Sequence, residues 1–397
     1  MPALRHCYNI RDLRQRAKQK LPAPMFHYLD GGADDEWTLR RNTAAFDDYQ
    51  FNPSYLRDIE HINLKTRLVN TELELPFFLS PTGMSRLFHH HKEPAVARAA
   101  QRFGTLYSLS TVGTTSIEDI AAVTSGPKMY QIYIHKDREL TGEFIARCKA
   151  SGYTAMCLTV DAMVAGNRER DLYNGMVMPP RITTLSNFFS YASRVEWWFN
   201  LLRYPDFRMA NVAHRHDALS KRPMGLMEYL NGQFDRTVVW DDAARIVEQW
   251  GGPFLIKGLQ SVEDAKRAVE IGATGIMISN HGGRQLESTP APVDCVAEIR
   301  DAVGDSLELI VDGGIRRGTH IVKALALGAD ACSIGRPYLY GLAAGGQAGV
   351  ERAIGLLKAE VERTMGLLGV TDVKDLNPSH LRPLSAIGRE LRRESGG

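Results

Sequence analysis

Short apolar or β-branched runs recur along the chain, each followed by a segment whose apolar residues return every three or four positions. The runs begin at Pro76 (PFFLS), Thr105 (TLYSLS), Lys128 (KMYQIY), Ala155 (AMCLTV), Phe254 (FLIKG), Gly275 (GIMIS), Leu307 (LELIVD) and Ala331 (ACSIG). The helical period lies in residues 93–104, 116–123, 138–152, 240–252, 262–273, 290–304 and 318–329. Two of these segments open on capping boxes, Ser116-Ile117-Glu118-Asp119 and Ser261-Val262-Glu263-Asp264. Strands that alternate with helices and are apolar on both faces form a parallel sheet. Eight such repeats predict an α/β protein of the closed (β/α)8 or TIM-barrel type rather than an open doubly wound sheet.

Strand starts are separated by 29, 23, 27, 99, 21, 32 and 24 residues. The single long step places a large insertion after the fourth strand, between Val160 and Trp240. The expected organisation is therefore a helical N-terminal extension (1–75) packed on a barrel (76–384) that carries an insertion (177–236). A polar, arginine-rich tail (385–397) follows.

In such barrels the active site gathers at the C-terminal ends of the strands. There the chain places Ser80 and Thr82, Ser110, Gln131 and Tyr133, Thr159 and Asp161, Lys257, Ser279 and His281, Asp312, and Gly335 with Arg336. Polar endings on eight apolar strands converge on one rim and imply a polar ligand. The richest stretch is Ser279-Asn280-His281-Gly282-Gly283-Arg284-Gln285-Leu286. A histidine that exchanges a proton near neutral pH, three residues before a fixed cation, suits oxidation of an anionic substrate. Glycine-rich turns with arginines end the seventh and eighth strands, at Asp312-Gly313-Gly314-Ile315-Arg316-Arg317-Gly318 and Gly335-Arg336. Barrels often hold phosphate at that position. A phosphate at one edge and His281 at another describe an elongated ligand with the shape of flavin mononucleotide.

Composition narrows the choice without redirecting it. Hydrophobic residues at 44% supply a core, and a net charge of +2 gives no reason to expect a nucleic-acid partner. The five cysteines are scattered without a CxxC, the pattern of a reduced compartment. The first residues lack the apolar centre of a signal peptide, and no run of about 18 apolar residues predicts a membrane span. His89-His90-His91 and His214-Arg215-His216 lack the carboxylate or cysteine company of a metal site, so no metal is expected.

Together these residues resemble the FMN-dependent L-2-hydroxy acid dehydrogenase and oxidase family, which includes glycolate oxidase, L-lactate dehydrogenases and (S)-mandelate dehydrogenase. The resemblance runs from about Tyr8 to Leu384. It is anchored at Tyr28–Ala33, Pro81-Thr82-Gly83, Leu109-Ser110-Thr111, Gln131-Ile132-Tyr133, Thr159-Val160-Asp161, Arg168-Glu169-Arg170-Asp171, Ile256-Lys257-Gly258, the histidine stretch 279–286 and the two glycine turns. It implies that His281 is the catalytic base, paired with Asp161, and that Arg168 and Arg284 clamp the substrate carboxylate. Tyr28 and Tyr133 would hydrogen-bond the substrate, and Lys257 would lie beside the flavin where reduction places negative charge. Thr82, Gly83, Ser110, Gln131, Thr159 and Ser279 would hold the ring and ribityl chain. Asp312, Gly314, Arg316, Gly335 and Arg336 would hold the ribityl–phosphate end. Members are commonly homotetramers.

The insertion interleaves aromatic residues (Phe188, Phe189, Tyr191, Trp197, Trp198, Phe199, Tyr204) with Arg181, Arg194, Arg203 and Arg208. This pattern suits an interfacial membrane segment or, alternatively, a lid or subunit contact. With Gly83, which membrane-linked members share, it points to a quinone or cytochrome acceptor and to a cytoplasmic protein peripheral on the inner membrane. Val112 and Ala165 stand where glycolate oxidase has larger side chains. L-lactate is the first expectation for substrate and mandelate-like acids the second. An oxygen-using oxidase and a flavoenzyme that tailors a peptide or natural product are the alternatives.

Overall fold

Each apolar run forms a strand, and the eight close on themselves. The structure, a computed structural model, describes residues 4–176, 190–204, 209–213 and 232–384. Short strands β1 (Tyr49–Phe51), β2 (Thr66–Leu68) and β3 (Thr71–Leu73) precede the barrel. The barrel strands are β4 (Phe77–Thr82), β5 (Tyr107–Ser110), β6 (Lys128–Ile132), β7 (Ala155–Thr159), β8 (Phe254–Leu259), β9 (Gly275–Ser279), β10 (Glu308–Asp312) and β11 (Ala331–Ile334). All neighbours are parallel, and Cys332 pairing with Phe77 joins the last strand to the first. Helices return between the strands, and the serine hydroxyls of Ser116 and Ser261 cap two of them by accepting from Asp119 N and Asp264 N.

The N-terminal extension is helical only in its first half. Helices α1 (Ile10–Lys20), α2 (Ala23–Asp30) and α3 (Trp37–Ala44) give way to β1, which pairs antiparallel with β12 (Leu381–Pro383). The β2–β3 hairpin plugs the barrel floor. Its Leu68, Val69 and Leu73 join Phe78, Met129, Leu255, Met277 and Ile310 in a cluster that fills the barrel interior. The hairpin turns at Val69 and Asn70, whose φ angles of 46° and 60° match the turn that suits strand twist. A β-branched residue is uncommon there, and Val69 N donates to both carboxylate oxygens of Glu308, at 3.0 and 2.9 Å.

That carboxylate has a cost. Burial pushes Glu308 up to about 7 from 4.5, against the pull of the Val69 N–H and with help from Asp330. A carboxyl raised in the folded state contributes stability that is complete below 4.5 and lost as pH rises through about 7. Glu308→Gln should therefore flatten the fall in thermal stability between pH 5 and 7.5. The expected gain at the upper end, discounted for partial exposure, is about 1–2 kcal/mol. Parallel melting curves for the two proteins across that range would refute this.

Candidate active site

His281 follows β9 in a left-handed conformation (φ 56°), and Gly282 and Gly283 continue it at 67° and 72°. Three such residues in a row turn the chain sharply back across the barrel mouth. Glycine accepts this geometry freely; histidine does not, and strain of this kind concentrates at functional sites. His281 Nδ1 lies 2.9 Å from Asp161 Oδ1, and its backbone N donates to Ser279 Oγ at 3.0 Å. A carboxylate on Nδ1 leaves Nε2 as the nitrogen free to take a proton.

Beneath His281 lies a buried charge cluster. Lys257 Nζ is 3.2 Å from Asp312 and 3.9 Å from Asp161, and it donates to Ser279 Oγ at 3.0 Å. Burial would lower the lysine, but Asp161 and Asp312 hold it above its ordinary range. Asp312 is drawn down to about 2 despite its burial, by Lys257 and by the hydroxyls of Ser333, Ser80 and Ser279. Asp161 is lowered as well: burial opposes ionisation, and Lys257 and His281 outweigh it. The site thus holds one cation and two carboxylates, all ionised.

A second group of cations faces no such surplus of acid. Arg284 donates to the carbonyls of Tyr28 (2.7 Å) and Gly31 (3.1 Å), and its guanidinium lies 5.0 Å from the Tyr28 ring centroid. Arg168 lies 5.4 Å from the same ring and 3.7 Å from Asp171. Burial, and then the charge of Arg168, lowers Arg284 below its ordinary value. Two half-buried cations gathered on one ring call for an anion between them. Tyr133, at 7% exposure, is raised by burial and remains a neutral hydroxyl donor.

Tyr28, Arg168, Arg284, His281, Tyr133 and Lys257 all line one cavity of about 360 Å³. Thr82, Gly83, Ser110, Asp312, Gly314, Arg316, Gly335 and Arg336 line it too. Of the other expected site residues, Asp161 and Ser279 bond directly to lining residues, Gln131 accepts from Ser110 Oγ at 2.9 Å, and Thr159 pairs with Lys257 in the sheet. Gln131 Nε2 and Thr159 Oγ1 are buried without a hydrogen-bond partner. Buried polar atoms are seldom left so, and a flat heterocycle with a polar edge would satisfy both. Gly314 (φ 75°) can only be glycine, because a Cβ would run into the Asn42 backbone.

Arg336, which lines the same cavity, is held by backbone. Its side chain donates to the carbonyls of Leu29 (3.1 Å), Gly31 (2.7 Å) and Gly282 (2.9 Å). Burial and Arg284 lower it to about 9. The guanidinium ties together the segments that carry Tyr28 and His281. Three further features escape sequence reasoning. Ser333 joins Ser80 and Ser279 on Asp312. Asn42 and Asn280 exchange two side-chain hydrogen bonds of 2.7 Å, each Nδ2 donating to the other's Oδ1. Phe234, from the returning end of the insertion, sets its ring edge-on to Tyr133 at 4.9 Å. Only Ser333 left a signal, as a lone hydroxyl in an apolar strand.

His89, His90 and His91 bring ligand nitrogens within 4.8 Å of one another. The first two rings are stacked, 4.4 Å between centroids at 23°. His214 and His216 lie outside the described residues.

The family profile of FMN-dependent dehydrogenases matches residues 17–383. The chain belongs to the FMN-dependent 2-hydroxy acid dehydrogenase and oxidase family. A Mycobacterium tuberculosis (strain ATCC 25618 / H37Rv) protein provisionally assigned as an L-lactate dehydrogenase is 42% identical over 380 residues, 96% of this chain and 90% of that one. Glycolate oxidase of Spinacia oleracea is 36% identical over 94% of this chain and 95% of its own. Among solved structures, a monotopic membrane protein, (S)-mandelate dehydrogenase, superposes with a TM-score of 0.90 at 34% identity, covering 95% of this chain and all of the other. The protein is thus an oxidoreductase acting on the CH–OH group of a 2-hydroxy acid, with FMN as cofactor.

Proposed function

We propose that this enzyme oxidises an L-2-hydroxy acid to the 2-oxo acid and passes the electrons to a quinone or cytochrome. The observation that carries the reading is His281 held by Asp161 in the cavity that Arg168 and Arg284 also line. In this reading the two arginines clamp the carboxylate in the bidentate manner suited to guanidinium. Tyr28 and Tyr133 orient the acid, and His281 Nε2 takes its proton while Asp161 stabilises the resulting imidazolium. FMN, when bound, supplies the two-electron acceptor. Lys257 offers a fixed positive charge for its reduced form, and Gln131 and Thr159 have donors to spare for its ring. The test is an anaerobic titration of the purified protein with L-lactate and (S)-mandelate, with D-isomers as controls. Bleaching by the L-type acids alone is expected, and slow recovery in air would argue against an oxidase.

The insertion supports an acceptor at a membrane surface. Helix Val195–Arg203 exposes Val195, Phe199 and Leu202 by 72%, 63% and 76%, one stripe at helical spacing. Its other side is fastened: Trp197 Nε1 donates to Leu87 O at 3.1 Å, and the buried Arg86 donates to the carbonyls of Asn200 and Tyr204. A docked helix with an apolar outer stripe suits a bilayer surface, and the likeness to a monotopic relative supports it. We place the enzyme on the cytoplasmic face of the inner membrane as a homotetramer. No helix among the described residues is long and apolar enough to cross a membrane. Phe188, Phe189, Arg181 and Arg208 lie outside the described residues. Phe199→Glu with Leu202→Glu should cut co-sedimentation with anionic liposomes by about tenfold or more while the flavin spectrum is kept. Unchanged binding would move the membrane contact elsewhere.

A further inference from the structure

If the enzyme oxidises a 2-hydroxy acid as proposed, the charged end of the acid is spoken for, and selection falls to the apolar part of the cavity wall. That part includes Val112, Ala162, Ala165 and Phe234. Three of these are small and leave room. Phe234 is large, and it is not a loose lid. It pairs with His135 in an antiparallel bridge. On one side of it, Gln233 accepts from Lys136 N at 2.8 Å and from Asp137 N at 3.0 Å. On the other, Asp235 binds Arg138 at 2.7 Å and accepts from Thr237 N at 2.9 Å. The Phe234 ring meets Tyr133 edge-on at 86° and stacks on the buried His135, at 6.5 Å between centroids. It is held from both neighbours and from behind.

A methyl group on the substrate would leave the space beside three small residues unfilled and forfeit contacts there. An aryl group would fill it and meet Phe234 in the offset or edge geometry that aromatic pairs favour. We propose that Phe234 is the specificity-determining residue of this site and that the preferred substrate is an L-2-hydroxy acid with an aromatic side chain.

The experiment compares kcat/KM for (S)-mandelate, L-3-phenyllactate, hexahydromandelate and L-lactate in the wild type, Phe234→Leu and Phe234→Tyr. The wild type should favour the aromatic acids over lactate by about tenfold or more. Phe234→Leu should lower that ratio about tenfold, and Phe234→Tyr, which keeps the ring, should retain it. Dissociation constants of the unreactive products phenylglyoxylate and pyruvate, measured by calorimetry, should move in the same sense. Equal losses for every acid in Phe234→Leu would overturn the proposal, since a residue that only steadies Tyr133 would act that way. Hexahydromandelate equal to mandelate would overturn the aromatic assignment. A flavin bleached by lactate but not by the aromatic acids defeats this inference and leaves the 2-hydroxy acid reading intact. A flavin that no acid bleaches defeats that reading itself.

Discussion

Replacing His281 with asparagine should slow anaerobic flavin reduction by about 10²–10⁴-fold, the range typical of a lost general base, with the flavin still bound. Asparagine is chosen for its backbone. His281 sits at φ 56°, a conformation asparagine visits readily and alanine does not. The hydrogen bond from the residue 281 backbone to Ser279 then survives, and so does the turn through Gly282 and Gly283. Only the imidazole and its bond to Asp161 are lost. Stopped-flow absorbance gives the rate, and the visible flavin band before mixing shows that the site is still built. A fall of less than tenfold would mean that another group takes the proton.

Lys257→Met should destabilise the protein by about 3–5 kcal/mol, because it leaves buried carboxylates without their cation. The lysine is 4% exposed and sits within 4 Å of both Asp312 and Asp161. Removing its charge should raise both aspartates and loosen the three serines gathered on Asp312. Weaker flavin retention should follow, since these groups border the cavity. Urea unfolding measures the first effect and flavin release on dilution the second. Adding Asp312→Asn to Lys257→Met should recover part of the stability, the non-additivity expected of coupled neighbours. A loss below about 1 kcal/mol would show that water reaches the cluster.

The barrel is legible in the chain because parallel strands are covered on both faces and so read as unbroken apolar runs. Their ends are less so. The runs at Pro76 and Leu307 begin one residue before β4 and β10, and the segment 290–304 divides into a 3-10 turn, Pro292–Cys295, and a helix, Val296–Val303. The site is legible for a related reason: His281, Lys257 and Asp312 stand at the ends of such runs, where polarity has no structural excuse. What stays hidden is contact across the chain. Nothing near Asn42 announces Asn280, 238 residues away. Nothing in Phe234 announces Tyr133, because the insertion breaks the strand–helix rhythm that locates everything else. Arg336 shows the opposite limit: its position is foreseen, but three backbone carbonyls carry no side-chain signature to betray how it is held.

The seam between the N-terminal extension and the barrel has a consequence for anyone who would shorten or transplant this enzyme. Gly314 and Gly283 touch the backbones of Asn42 and Leu39 too closely for any other residue. Arg336 bolts Leu29 and Gly31 to the histidine loop. Eight strands and their helices make a complete barrel, but they do not make a complete mouth. The smallest portable unit begins upstream of Tyr28. A graft of the barrel alone would carry the base and its carboxylate and leave behind the surface against which the substrate is pressed.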